Sequence, residues 1–225
     1  MSYAIAIDGP AGAGKSTIAK RIAKEMAFIY VDTGAMYRAM AVYFLDNGIG
    51  AQDEAAVNAA CDHISVAIEY DDGVQQVLLN GENVTGRLRR EEVGVMASRT
   101  SVYPKVREKL VELQRLLASK NDVVMDGRDI GTCVLPDAQL KVFLTASVEA
   151  RAKRRYDELC EKGEKPDLSA ITEDIRERDY RDMNRDVSPL KAADDAVLVD
   201  SSYMGIEEVV KTVSDLFYEK CKQIG

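Results

Sequence analysis

The sequence predicts an α/β fold built on a parallel sheet, and three observations predict it. Five short apolar segments, residues 3–7, 28–31, 122–125, 140–144 and 196–199, are separated by stretches with helical spacing. That alternation calls for right-handed crossovers between parallel strands. One block alone, residues 63–86, changes to a period of two. A glycine-rich turn joins the first apolar segment to the first helical one.

Each element follows in order. Tyr3-Ala4-Ile5-Ala6-Ile7 is short and apolar, and Asp8-Gly9-Pro10 ends it. From Lys15, the residues Ile18, Ile22, Ala23 and Met26 recur three and four apart, which predicts a helix. Residues 28–31 form a second strand, and Asp32-Thr33-Gly34 opens a helix through Ala35-Met36-Tyr37-Arg38 to about Leu45, stopped by Asn47-Gly48. No element is assigned over residues 49–62.

Ser65 to Tyr70 then alternates, Asp71-Asp72-Gly73 turns, Val74 to Leu79 returns, and Asn80-Gly81 turns again into Glu82-Asn83-Val84. Asn-Gly between strands is a strong hairpin signal, so this is a small antiparallel β-meander inserted into the α/β chain. Helical spacing resumes at Glu91, breaks near Tyr103-Pro104, and continues through Val106, Leu110, Leu113 and Leu117. Beyond the strands at 122–125 and 140–144, a charged stretch runs from Glu149 to Arg185, interrupted at Lys162-Gly163 and Pro166. A last strand at 196–199 and a last helix at 206–221 close the chain.

Composition bounds the function. The chain has 225 residues, 46% of them hydrophobic and 30% charged, enough for one domain with elaborations. The net charge of −8 argues against nucleic acid as a partner. No apolar run approaches the roughly 20 residues of a membrane span, and Met1-Ser2 leads into the first strand without a basic leader. Cys61, Cys133, Cys160 and Cys221 form no C-x-x-C pair, so reduced thiols in a cytoplasmic protein are expected. His63 is the single histidine and is expected to be structural.

Gly9-Pro10-Ala11-Gly12-Ala13-Gly14-Lys15-Ser16 matches G-x-x-x-x-G-K-[ST] in full, between a strand and a helix. Glycines let backbone N–H groups turn around a β-phosphate, and the following helix adds its positive N-terminus. Gly9 through Thr17 are therefore assigned to the phosphates of a nucleoside triphosphate. Lys15 would reach the β- and γ-phosphates, and Ser16 would offer its hydroxyl to Mg²⁺. Asp126, at the end of a neighbouring apolar strand, is the second candidate for Mg²⁺. The motif makes the fold a P-loop NTPase-type three-layer α/β fold with a five-stranded parallel sheet, the β-meander insertion and a helical lid.

Among P-loop classes, a GTPase needs N-K-x-D and D-x-x-G, and neither occurs. Motors and transporters usually carry more domains. A small-molecule kinase remains, and its acceptor site should be rich in arginine. Arg38, Arg128 and the group Arg178, Arg181, Asp182 and Arg185 qualify; the last four fall at i, i+3, i+4 and i+7 and are expected on one helix face. Arg151, Lys153, Arg154 and Arg155 form a second cluster that a mobile lid could swing over the transferred group. A kinase for another small acceptor, and a nucleotide-gated binding protein, stay open at this point.

The P-loop, Asp32-Thr33-Gly34-Ala35-Met36-Tyr37-Arg38, Asp126-Gly127-Arg128-Asp129-Ile130-Gly131-Thr132 and Arg178-Asp179-Tyr180-Arg181-Asp182-Met183-Asn184-Arg185, in this order, resemble the bacterial cytidylate kinases. The resemblance implies phosphorylation of CMP and dCMP by ATP with Mg²⁺. It implies that Thr33, Arg38, Arg128 and Arg185, with Tyr37, hold the acceptor's phosphate and pyrimidine side. Ser98, Arg107 and Asp129 would face cytosine, and Arg178 and Asp182 the ribose. Arg154, Arg155 and Arg181 would belong to the lid, so that Lys15, Arg128, Arg154, Arg181 and Arg185 are the candidate catalytic set. One domain over 1–225 is expected, with a monophosphate-binding region at about 33–105 containing the β insertion at about 63–86, and a lid at about 151–185. The expected state is a monomer.

Overall fold

Strand β1 (Ala4–Asp8) is buried along nearly its whole length, as a strand covered on both faces of a parallel sheet must be. The computed structural model describes residues 2–224, with side chains up to residue 222; Met1 and Gly225, the ends of the expected single domain, lie outside the described residues. After β1 come α1 (Lys15–Met26), β2 (Ile29–Asp32), α2 (Thr33–Asp46) and α3 (Glu54–Cys61). The three strands β3 (Val66–Asp71), β4 (Val74–Leu79) and β5 (Glu82–Asn83) form the meander, and a single 3₁₀ turn over Thr85–Arg87 leads to α4 (Glu91–Thr100) and α5 (Pro104–Lys120). The chain ends with β6 (Val123–Gly127), a π-type turn over Ile130–Val134, β7 (Leu140–Thr145), α6 (Val148–Glu161), α7 (Leu168–Asn184), β8 (Val197–Asp200) and α8 (Ile206–Ile224).

The five-stranded sheet has the order β2-β6-β1-β7-β8, and the three-stranded sheet the order β3-β4-β5. In the larger sheet β1 pairs in parallel with β6, Ile5 opposite Val124, and with β7, Ile5 opposite Leu140; β7 pairs in parallel with β8. In the smaller one β3 and β4 are antiparallel, with Asp71 opposite Val74 across the Asp72-Gly73 turn. Asp72 and Asn80 hold φ values of 47° and 50°, each followed by a glycine of positive φ, the conformations that tight hairpin turns require.

Two compact units make up the chain: residues 1–30 with 122–225, and residues 31–121. The first is built on the large sheet. Ile18, Ala19, Ile22 and Ala23 of α1 and Val209, Val210, Val213 and Phe217 of α8 pack with Ile5, Ile7, Val124, Leu140, Val142 and Leu144 of the strands. Phe217 also meets Tyr3 and Phe28 edge-on. The second unit is organised around α2, in which Ala39, Met40, Ala41 and Val42 are consecutive and fully buried. A helix apolar on all sides is an interior helix; α4, α5 and β4 pack around it.

Helix α3 lies in the stretch left unassigned from sequence. Its helix-forming signal is alanine content and an Asp53 cap, whose carboxylate accepts from Ala56 N–H, rather than a hydrophobic stripe. The expected face shared by Arg178, Arg181, Asp182 and Arg185 is also modified. Helix α7 ends at Asn184, and Arg185 is already extended. All four cysteines are free thiols.

Candidate active site

The phosphate loop leaves β1 at Gly9, where φ is +148° and a Cβ would lie 1.9 Å from the Leu144 carbonyl oxygen. Only glycine lets the chain depart this close to β7. Gly12 and Gly14 follow at φ +76° and +89°, and Lys15 begins α1. Three carbonyls of the loop are tied down. Lys15 Nζ donates to Pro10 O at 2.7 Å, Arg151 Nη1 to Ala11 O at 3.0 Å, and Ser201 Oγ to Ala13 O at 3.4 Å. Gly9 and Pro10 are buried, and Thr17 is exposed on the first turn of α1. Burial, then the Arg128 charge, pushes the Lys15 ammonium well below its usual range, while Asp126 and Asp8 oppose them.

Ser16 Oγ donates to Asp126 Oδ2 at 2.9 Å, and Tyr30 OH donates to Asp126 Oδ1 at 2.8 Å. A hydroxyl and an oriented carboxylate are hard oxygen donors. They fit Mg²⁺, which takes one or two protein oxygens and completes its shell with water and phosphate.

Asp8, the last residue of β1, accepts from the N–H groups of Ile130 and Gly131 at 2.8 and 2.7 Å. It thereby fixes the π-type turn directly after Asp129. Burial pushes the Asp8 carboxyl up to about 6, against the lowering effect of those two bonds.

Beyond β6 a compact charged group assembles. Arg128 Nε donates to Asp182 Oδ2 at 2.9 Å, and its Nη1 to Gly127 O at 3.2 Å. Arg185 Nε donates to Ser188 O at 2.6 Å, and its guanidinium lies 3.9 Å from the Asp129 carboxylate. Burial alone would raise the Asp182 carboxyl; the charges of Arg128, Arg178 and Arg185, with the Arg128 bond, outweigh it and hold it below the usual range. Arg128, Asp129, Arg178, Asp182 and Arg185 are thus brought together within one unit.

The remaining arginines separate. Arg181 is exposed on α7 and faces Glu177 at 3.6 Å, away from that group. At 3.6 residues per turn it stands about 60° off the line of Arg178. Arg154 donates to the carbonyl of Ser201 at 2.5 Å, next to the loop, and Arg155 pairs with Glu158 in solvent. Arg151, grouped with them from sequence, is buried and makes a two-bond fork with Asp179.

In the second unit, Asp32 caps α2 by accepting from Ala35 N–H at 2.9 Å. Gln75 of β4 accepts from Asp32 N–H at 2.8 Å and donates to Asp32 O at 3.3 Å. The meander therefore grips the start of the helix that carries Thr33, Tyr37 and Arg38. A Cβ on Gly34 would lie 3.3 Å from both Arg38 Nη1 and Asp32 Oδ1, so the Arg38 head folds over this turn. Thr33 is buried, Tyr37 and Arg38 half-buried. Arg107 is buried in α5 and Ser98 half-buried in α4, its carbonyl accepting from Ser101.

Sequence reasoning missed Asp8, Tyr30, Asp179 and Ser201. Asp8 had a signal, a carboxylate at a strand end directly before a glycine turn. The other three act through tertiary contacts that no local pattern marks.

The family model described as cytidylate kinase matches residues 5–219. A cytidylate kinase of Lactobacillus johnsonii is 49% identical over 218 residues, 97% of this chain and 95% of that relative. One of Caldicellulosiruptor saccharolyticus is 49% identical over 215 residues, covering 96% and 95%. A solved structure of an uncharacterized protein from Eubacterium ventriosum shares the fold at a TM-score of 0.53 and 12% identity, covering 96% of this chain and 98% of that one. With a family match over residues 5–219 and relatives of this identity joined to an intact phosphate loop, the chain belongs to the cytidylate kinase family of phosphotransferases.

Proposed function

We propose that the chain transfers the γ-phosphoryl group of ATP to CMP or dCMP, giving ADP and the cytidine diphosphate. The observation that carries this reading is the charged group of Arg128, Asp129, Arg178, Asp182 and Arg185, in the same unit as a complete phosphate loop. Half-buried arginines held by carboxylates present fixed positive charge to a phosphate without reorganising at the moment of transfer.

In the reaction an oxygen of the CMP phosphate attacks the γ-phosphorus in line, and the bond to the β,γ-bridging oxygen breaks, leaving ADP. The nucleophile is already an anion, so no residue acts as a base. Lys15 gains its charge partner when triphosphate enters the loop, which offsets the burial that disfavours its ammonium form. Ser16 and Asp126 would hold Mg²⁺, which supplies charge neutralisation on the phosphates, and Tyr30 keeps the Asp126 carboxylate oriented for it. Thr33, Tyr37 and Arg38 are assigned to the acceptor phosphate side, Arg178 and Asp182 to the ribose. Asp129 would take the N4 amino group of cytosine, while Arg107 and Ser98 donate to N3 and O2. Arg154, Arg155 and Arg181 are assigned to the lid over about residues 151–185, and about residues 33–105 to the monophosphate-binding region.

We place the protein in the cytoplasm as a monomer. Four free thiols support the compartment, and no helix among the described residues is long and apolar enough to cross a membrane. The test is ADP release with Mg-ATP against CMP, dCMP, UMP, AMP and GMP. Release that depends on CMP or dCMP, and is weak with UMP, is the expected result. Equal release with every acceptor, or with none, would sink the assignment.

A further inference from the structure

Arg151 stands apart from Arg154, Arg155 and Arg181, because its guanidinium forks onto one carboxylate and also reaches the phosphate loop. Its Nη1 and Nη2 meet the two carboxylate oxygens of Asp179 at 3.0 and 2.5 Å, and its Nε donates to Ala146 O at 2.9 Å. Nη1 donates a further bond to Ala11 O, inside the phosphate loop, at 3.0 Å. The stem lies against the loop as well, since a Cβ on Gly12 would touch Arg151 Cβ at 3.5 Å. One buried side chain thus joins the β7–α6 turn, α7 and the phosphate loop.

The contact to Ala11 has a directional consequence. A trans peptide is planar, and its carbonyl and N–H point opposite ways. A guanidinium that holds the Ala11 carbonyl therefore turns the Gly12 N–H away from α6. Asp179 in turn sets the roll of the guanidinium, because the fork fixes its plane. Asp179 follows Arg178 and lies three residues before Asp182 on the same helix.

We propose that Arg151 and Asp179 are positioning residues for the donor nucleotide: the fork sets the Ala11–Gly12 peptide so that the Gly12 N–H is available to the triphosphate, and it ties that setting to the helix bearing Arg178 and Asp182. This rests on the proposed binding of ATP in the loop. Neither residue touches the reacting atoms. A buried ion pair used only for stability would serve as well without the bond to Ala11.

The experiment compares wild type, Arg151→Lys, Asp179→Asn and the double variant, with the exposed Arg176→Lys as control. The readouts are the Kd of Mg-ATP by calorimetry without acceptor, KM and kcat for both substrates, and the thermal midpoint. Lysine cannot form the fork and reach Ala11 together, so each single variant should weaken ATP about tenfold or more. The double variant should be no worse than the weaker single one. A fall in midpoint with the Kd and KM of ATP within about twofold of wild type would overturn the proposal. If the variants fail to fold, the Arg151 Nη–H signals of wild type, the two groups that meet Asp179, decide. Slow exchange kept when ATP binds supports the fork, and its loss on binding overturns it. Wild type that binds ATP but leaves every acceptor unphosphorylated would overturn the proposed function alone.

Discussion

Residues 1–30 with 122–225 and residues 31–121 bury polar groups in different ways. Among the described residues the first unit buries seven charged side chains, Asp8, Lys15, Asp126, Asp129, Lys141, Arg151 and Asp182; the second buries one, Arg107. Buried charges cost several kcal/mol each unless paired and hydrogen-bonded, and the first unit supplies the pairing: Asp182 with Arg128, Arg151 with Asp179, Lys141 with Asp195. The second unit spends its interior on the apolar α2, and its buried polar side chains are Thr33 at the start of that helix and Thr100, Arg107 and Gln114 on α4 and α5. The lesson is a division of labour, in which one unit carries preorganised charge and the other carries shape.

The largest break of that division is Lys15→Ala. Removing the buried ammonium should cut kcat about a hundred- to a thousandfold while the protein stays folded, as single-turnover kinetics and circular dichroism would check. Near wild-type turnover would mean that the charge of the first unit is not catalytic. Gly9→Ala comes next. Its methyl cannot share space with the Leu144 carbonyl, so the first unit should lose about 3 kcal/mol or more in urea unfolding.

Gln75→Ala sharpens the comparison from the other side. Releasing Asp32 should raise the KM for CMP about fivefold, in line with about 1 kcal/mol for the lost bonds, and leave the KM for ATP and kcat unchanged. A changed kcat would show that the second unit contributes more than placement.

The smallest effect is a pH slope. The folded state holds the Asp8 proton more tightly than the unfolded chain does, since its carboxyl is raised from 3.8 to about 6. Its contribution to stability is therefore complete below 3.8 and is lost as the pH rises through about 6. Thermal midpoints between those limits should fall with pH in wild type and stay flat in Asp8→Asn. Asp182, held low, acts with the opposite sign and only at lower pH.

The same contrast explains what was legible. The five strands, the meander and the two halves of the charged region at α6 and α7 could be placed because apolar period and turn residues are local properties. The glycine-rich loop could be placed between β1 and α1 because its spacing is a local pattern. Arg151 was not separable from Arg154 and Arg155, because its partner Asp179 lies 28 residues away and only tertiary packing brings the fork together. Arg181 looked equivalent to Arg178 on the helical repeat, yet the repeat does not say which side of α7 meets Arg128. Helix α3 escaped because alanine gives propensity without a stripe.

Gly9 and Gly14 belong to one motif but answer to different demands. Gly9 is held by the backbone of β7, whereas a Cβ on Gly14 would meet nothing within 4 Å. A descendant that had stopped binding nucleotide would lose Lys15 without harm, and a side chain at Gly14 would meet only the strain of its φ of +89°, but its sheet would still require Gly9. The first glycine of the loop is thus a record of ancestry in the scaffold, and an eroded motif that keeps it carries no testimony about activity.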